Sequence, residues 1–185
     1  MKSCLNSHVG WFLVSLIVTM AAPNAAPATS LVFSEPDFDW LAASTGATPY
    51  HIWTTGDHWT QNFSATGVAQ ANHADLHLFI NDNVLVGGNQ LNLNLLLNGN
   101  LAGSFSIPAG TTGALDVGFN FASVAGPDYL VRIQATNTIP DGAGSVSIAP
   151  DGRSTITLVP EPATLGLLAA MLLAASMRRG RARSV

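Results

Sequence analysis

Positive charge is scarce in this chain. Lys2 is the only lysine, and all eleven acidic residues lie within residues 35–161, where Arg132 and Arg153 are the only lysine or arginine residues. Nucleic-acid binding requires basic surface that displaces counterions from phosphate, so this composition argues against a nucleic acid as partner. An acidic surface favours solubility outside the cell.

Cysteine is almost absent as well. Cys4 is the only one, and it precedes the first apolar run, so it is not placed as a lipoprotein attachment site. A chain without further cysteines has no disulfide framework. Its stability must come from apolar burial and backbone pairing, for which a domain of roughly 130 residues is long enough.

Residues 1–28 have the pattern of a secretory signal peptide. Lys2 supplies a positive start, and Val9–Ala22 is an apolar segment of the expected kind. Ala26-Pro27-Ala28 is the best small-x-small cleavage frame, so we expect signal peptidase to cut there and the mature chain to start near Thr29. A retained N-terminal helix fits the short run and its terminal alanines less well.

The other end carries a second apolar segment. Ala163–Met177 contains no charged residue and is followed at once by a group of arginines: Arg178, Arg179, Arg181 and Arg183. Cations beside an apolar span stay on the cytoplasmic side, so these arginines set the topology and the preceding chain lies outside. A helix of this length covers about 22 Å of a ~30 Å hydrocarbon core, which makes it a weak anchor. A weak anchor suits a segment that is removed.

Pro160-Glu161-Pro162 stands directly before this segment. The motif, the apolar helix and the arginine cluster, in this order, resemble the PEP-CTERM sorting signal of Gram-negative bacteria, over residues 159–185. The resemblance implies that an exosortase cleaves near the motif and discards the helix and basic tail. It also implies a precursor transiently in the inner membrane, and a mature form at the cell surface or in an exopolysaccharide or biofilm matrix. An ordinary tail anchor is the alternative.

Residues 29–158 form the exported domain and read as β-structure throughout. Leu91, Leu93, Leu95 and Leu97 alternate with polar residues, Asn98-Gly99 is a hairpin signal, and the return strand alternates from Leu101. Ala114–Phe121 and Tyr129–Thr136 alternate in the same way. A second hairpin is predicted between Ser145–Ala149 and Ser154–Val159. We expect an all-β, antiparallel two-sheet β-sandwich, of which the jelly roll is one form.

His73, Asp75 and His77 are a candidate metal site. Residues at i, i+2 and i+4 of a strand point to the same side, and imidazole and carboxylate bind zinc. The competing interpretation is the polar face of a half-buried strand whose apolar face is Ala74, Leu76, Leu78 and Ile80. We favour the second interpretation and expect no metal or other cofactor, because same-side neighbours lie about 6.6 Å apart and need a ligand from another segment.

Trp53, Trp59 and Asp57 are candidate glycan contacts. Aromatic rings stack on the apolar faces of sugars, and carboxylates accept hydrogen bonds from hydroxyls. The alternative, which we favour, places these aromatics in the core and at sheet edges.

Three functions remain open. The first is a non-catalytic surface or matrix protein processed by an exosortase and associated with exopolysaccharide. The second is a carbohydrate-binding module that uses the residues just named. The third is a metal-dependent enzyme centred on His73, Asp75 and His77. We favour the first and expect no enzymatic activity, since no nucleophile elbow, phosphate-binding loop or metalloprotease helix is present in the sequence.

Overall fold

The computed structural model describes residues 27–35, 37–41, 50–148 and 150–161. Most of the predicted signal peptide, with Ala26, and the predicted tail from Pro162 onward, with its four arginines, lie outside the described residues. Within them there is no helix that could span a membrane. The described residues form eleven strands: β1 (Thr29–Ser34), β2 (Asp39–Leu41), β3 (His51–Ile52), β4 (His58–Ser64), β5 (Gln70–Asn83), β6 (Gln90–Leu97), β7 (Asn100–Pro108), β8 (Gly113–Ala125), β9 (Asp128–Ala135), β10 (Val146–Ile148) and β11 (Asp151–Pro160).

The strands form two antiparallel sheets, which confirms the predicted all-β class. In the six-stranded sheet, β5 pairs with β8 along one edge and with β11 and then β10 along the other. β1 continues this sheet beyond β11, and β3 continues it beyond β10. The five-stranded sheet has the order β2-β4-β9-β6-β7. Buried side chains of both sheets belong to one core, so the domain is a sandwich.

The connectivity is that of a jelly roll. The chain changes sheet at every connection except β6–β7 and β10–β11. Without the short strands β2, β3 and β10, one sheet has the order β1-β11-β5-β8 and the other has the order β4-β9-β6-β7. Eight antiparallel strands in two sheets of this order make the double Greek key.

The β6–β7 hairpin follows directly from its sequence. Asn98 and Gly99 both have positive φ, 52° and 79°, as the tight two-residue turn requires. Leu91, Leu93, Leu95 and Leu97 are fully buried, and the alternation predicted for β5, β8 and β9 is also found. These strands were predicted correctly because each has one buried face.

Leu101 breaks the predicted pattern. It was expected to share a face with Gly103, but Leu95 pairs with Gly103 while Leu96 pairs with Leu101. Ala102 is therefore an extra residue, a β-bulge that reverses the side-chain phase. Ala102 is buried and Leu101 is 59% exposed, so the predicted alternation is wrong at Leu101.

The predicted second hairpin is also wrong. β10 and β11 do not pair with each other, because they lie end to end along the same edge of β5. The 14-residue β5 is long enough to pair with both. The Pro150-Asp151-Gly152 signal therefore does not reverse the chain direction. It lies between two strands that pair one after the other with β5.

Buried polar side chains join the two sheets. Gln61 of β4 donates from Nε2 to the carbonyl of Val32 at 3.2 Å and accepts from the N–H of Ser34 at 3.1 Å, both on β1. Tyr129 donates to the carbonyl of Val68 at 3.1 Å. The buried donors and acceptors of Gln61 and Tyr129 thus have partners, which the low dielectric of the core favours.

Candidate functional site

Three loops meet at one end of the sandwich, around Trp53. They are the β3–β4 turn (residues 53–57), the β5–β6 loop (residues 84–89) and the β9–β10 loop (residues 136–145). The β9–β10 loop is held to both others: Ile139 N–H donates to the carbonyl of Trp53 at 2.7 Å, and Val84 N–H donates to that of Ser145 at 3.1 Å. Main-chain hydrogen bonds therefore connect the three loops at this end of the sandwich.

Gly144 makes the close approach of two loops possible. Its φ is +97°, and a Cβ built there would lie 2.0 Å from the carbonyl oxygen of Val84. No other residue fits this position without moving the β9–β10 loop away from the β5–β6 loop. The backbone geometry of the site thus depends on a single glycine.

An open groove of about 370 Å³ lies between the β3–β4 turn and the β9–β10 loop, lined by Trp53, Pro140, Asp141, Gly142, Gly144 and Ser145. Trp53 is partly buried and packs against the core. Asp141 is exposed, and Ser145 Oγ is held 2.9 Å from His51 Nδ1. An aromatic wall beside a carboxylate and a hydroxyl can contact the apolar face of a sugar ring and hydrogen-bond its hydroxyls. Of the three predicted glycan contacts, only Trp53 lies where a ligand can reach it.

Asp57 has a different place from the one predicted. It is fully buried, and its Oδ2 accepts hydrogen bonds from the N–H groups of Trp53 and Thr54, both at 2.9 Å. Its own backbone pairs with Ala135. The prediction that Asp57 contacts a glycan was wrong, because the carboxylate is used inside the turn that positions Trp53.

Trp59 was also misplaced by the sequence interpretation. Its exposed fraction is 1%, and its indole Nε1–H donates to the carbonyl of Tyr50 at 2.7 Å. Both faces of the ring are covered by the core. Trp59 is therefore a core residue, as the alternative interpretation held.

His73, Asp75 and His77 lie together on the outer face of the six-stranded sheet. His73 is held by two acceptors: its Nδ1 lies 2.7 Å from Asn120 Oδ1, and its Nε2 lies 3.0 Å from Asp75 Oδ1. His77 Nδ1 lies 2.5 Å from Asp116 Oδ1. The hydrogen bond to Asn120, followed by the bond and the charge of Asp75, raises the pKa of His73 against the opposing effect of burial. Only the imidazolium can donate to both acceptors at once.

These contacts use both ring nitrogens of His73 and the Nδ1 of His77. Across the described ranges, no group of three or more histidine and acidic side chains is placed to hold a metal ion. The arrangement is that of a hydrogen-bonded polar face, which is what the competing interpretation predicted.

The start of the predicted processing motif lies inside the fold. β11 extends through Pro160, which pairs with Ala71 of β5. Glu161 N–H donates to the carbonyl of Gln70 at 3.0 Å, and Ser123 Oγ donates to Glu161 Oε2 at 2.8 Å. The last strand thus includes two residues, Val159 and Pro160, that the sequence analysis assigned to the tail. Ala28, of the predicted cleavage frame, is exposed just before β1.

Asp141 and Ser145 were not predicted from the sequence as site residues. Both stand among the glycines and prolines of a loop, where they resemble ordinary turn residues. Only the pairing of the β9–β10 loop with two distant segments brings them beside Trp53. No local sequence signal could have found them.

No protein-family model matches the chain, and no curated protein matches it. Solved structures resemble it at low similarity. The CBM36-1 domain of a multidomain xylanase from the hindgut metagenome of Trinervitermes trinervoides matches with a TM-score of 0.43 and 10% identity, over 73% of this chain and 98% of that one. CBM35 from Cellvibrio japonicus Abf62 matches with a TM-score of 0.43 and 15% identity, over 72% and 95%. A family 35 carbohydrate binding module from Clostridium thermocellum matches with a TM-score of 0.42 and 13% identity, over 70% and 98%.

Proposed function

We propose that this protein is an exported, non-catalytic carbohydrate-binding protein that holds a glycan in the Trp53 groove. The observation that carries the proposal is the placement of Trp53, which is rigidly held yet open to a groove that also contains Asp141 and Ser145. The volume of about 370 Å³ falls within the roughly 300–1,000 Å³ usual for small-ligand sites.

The lining of the groove supports binding without catalysis. Asp141 is its single acid, whereas glycoside hydrolysis ordinarily uses two carboxylates placed on either side of the scissile bond. A larger groove of about 580 Å³ is lined by residues that include Asp37 and Asp128, but its aromatic residue, Phe63, is buried. The Trp53 groove is therefore the better site for a sugar.

A glycan array of neutral oligosaccharides, followed by calorimetry on the best binder, tests this proposal. Trp53→Ala should weaken binding by about tenfold or more, since loss of an aromatic contact and its buried area is worth at least ~1.4 kcal/mol. Trp53→Phe should retain part of the affinity. Trp40→Ala is the matched control, because Trp40 is partly buried but lies outside the groove. Equal affinities for the Trp53→Ala variant and the unmodified protein would overturn the proposal.

The route out of the cell is part of the proposal. A PEP-CTERM-like tail, a signal peptide and an acidic domain without cysteine together support export, exosortase processing and a final place at the cell surface or in the matrix. The polysaccharide of that matrix is the expected partner.

The structure determines how the processing test should be designed. Pro160 belongs to β11, so changing it would disturb the domain as well as the motif. Two variants avoid this disturbance: Pro162→Ala, and a variant in which the four tail arginines are replaced by glutamine. For each we expect an unprocessed precursor in the membrane fraction, identified by intact-mass analysis. Ser123→Ala is the control, because it removes the contact of the domain with Glu161 and leaves the motif intact. Normal processing of both tail variants would contradict the sorting proposal.

A further inference from the structure

Uncharged polar side chains form a continuous ladder on the outer face of the five-stranded sheet, across β7, β6 and β9. Neighbouring strands place amides and hydroxyls opposite one another: Asn94 pairs with Ser104 on one side and with Gln134 on the other, and Asn92 pairs with Ser106. Ser104 Oγ donates to Asn94 Oδ1 at 2.7 Å. A shallow cavity of about 410 Å³ runs along this ladder. The face offers many hydrogen-bonding groups at regular spacing.

Arg132 stands in the middle of this face, on β9. Its backbone is opposite Thr60 of β4 and Leu96 of β6, and Gln134 follows it on the same side of the strand. Two acids occupy paired positions on this outer face: Asp39 lies beyond Thr60 on β2, and Asp128 lies opposite Ser64 at the start of β9, four residues before Arg132. Asp39 Oδ1 accepts from the backbone N–H of Trp40, and no ion pair joins it to Arg132.

Arg132 has no partner among the residues that the structure describes. The other arginine of the domain, Arg153, is paired with Asp151 and lies over the ring of Phe79 at 3.7 Å. Arg132 makes no ion pair, and its Nε is buried without a hydrogen bond. A buried donor without an acceptor is unfavourable, and it is unusual in a chain with eleven acids. Arg132 as a whole is half-buried, so part of its side chain reaches the surface, where no described carboxylate pairs with it.

We propose that the outer face of the five-stranded sheet binds a carboxylate-bearing polysaccharide, with Arg132 as the anion contact. A guanidinium matches a carboxylate in two parallel hydrogen bonds, and Gln134 and Asn94 lie within one sugar length of it for the hydroxyls. The neutral ladder accommodates an anionic chain better than the acidic remainder of the surface does. The inference rests on the proposed function only for the class of ligand, since it concerns a surface separate from the Trp53 groove.

Calorimetry of the full-length protein in detergent, with a galacturonate pentasaccharide as probe, tests this site. Arg132→Gln should weaken binding at least tenfold, and added salt should weaken binding to the unmodified protein. Arg153→Gln is the matched control, because it removes the same charge elsewhere and should change the affinity less than twofold. The fully methyl-esterified pentasaccharide should bind the unmodified protein and Arg132→Gln equally weakly.

Stability separates this function from a structural role. Because Nε has no partner, Arg132→Gln should melt at the same temperature as the unmodified protein or higher, whereas a structural arginine would lower it. Loss of pentasaccharide binding with unchanged melting supports the site. Equal binding by the acid and the ester, equal effects of the two arginine variants, or no binding by the unmodified protein would overturn it. If Trp53→Ala lost pentasaccharide binding while Arg132→Gln kept it, this inference alone would be overturned and the proposed function would stand.

Discussion

Replacing Asp57 by alanine should destabilise the domain, although the same residue looked like a ligand contact in the sequence. The carboxylate is fully buried and accepts two backbone hydrogen bonds, from Trp53 and Thr54. Alanine would leave both N–H groups without an acceptor, at roughly 1–3 kcal/mol each. We therefore expect a loss of about 2–6 kcal/mol in the free energy of unfolding, or on the order of 10 °C in melting temperature for a domain of this size.

Urea denaturation followed by intrinsic fluorescence, with calorimetric melting in parallel, measures this loss. Asp57→Asn keeps an acceptor oxygen but removes the charge, so it should lie between alanine and the unmodified protein. Asp141→Ala is the matched control, since Asp141 is exposed in the groove and its removal should leave stability within about 0.5 kcal/mol.

The two roles of Asp57 give opposite results. A direct glycan contact would lose affinity at full stability, whereas a carboxylate inside the turn loses stability and, through Trp53, affinity as well. If Asp57→Ala unfolds within about 1 kcal/mol of the unmodified protein, the structural account is refuted.

Two further predictions concern other parts of the fold. Gly144→Ala should lower the melting temperature strongly and abolish glycan binding, because its Cβ would overlap the Val84 carbonyl. Gly142→Ala is the control: at φ +76° with open space around it, it should cost only about 1–2 kcal/mol. Equal effects of the two variants in melting experiments would contradict this prediction. The raised pKa of His73 means that its contribution to stability is full below its ordinary value of 6.5 and is lost as the pH rises through the folded-state pKa. The melting temperatures of His73→Gln and the unmodified protein should therefore differ more at about pH 5.5 than at about pH 8.5, and a constant difference would argue against the two hydrogen bonds of the imidazolium.

A strand could be predicted from the sequence where one of its faces is buried. The Leu91–Leu97 strand and its Asn98-Gly99 turn were predictable because burial on one side fixes a period of two and the turn type demands positive φ. The partners of β10 and β11 were not predictable, since the Pro-Asp-Gly signal fits a step as well as a reversal. The pairing of β10 and β11 is determined by β5, which lies some 70 residues earlier in the chain and offers one edge long enough for both.

The candidate site was less predictable than the fold for a related reason. Trp53 and Trp59 are six residues apart and chemically identical, yet one lines a groove and the other is in the core. The difference comes from the strand pairing: Trp59 lies on the inner face of β4, opposite Ile133. Trp53 lies just past the end of β3, where inner and outer faces no longer alternate. Side chains in loops have no period to read, so their exposure follows only from tertiary contacts.

The fold also relates the two proposed properties of the protein to each other. Thr29 pairs with Leu158, and Pro160 pairs with Ala71, so both ends of the domain lie near the start of β5. The Trp53 groove lies beyond the other end of β5, where Val84 pairs with Ser145. At about 3.3 Å per residue the 14-residue strand separates these ends by some 40 Å. A tail that leaves the domain at Glu161 and enters a membrane therefore keeps the groove on the far side of the sandwich. Binding of a glycan and retention at the membrane are then compatible, because neither requires the surface that the other uses.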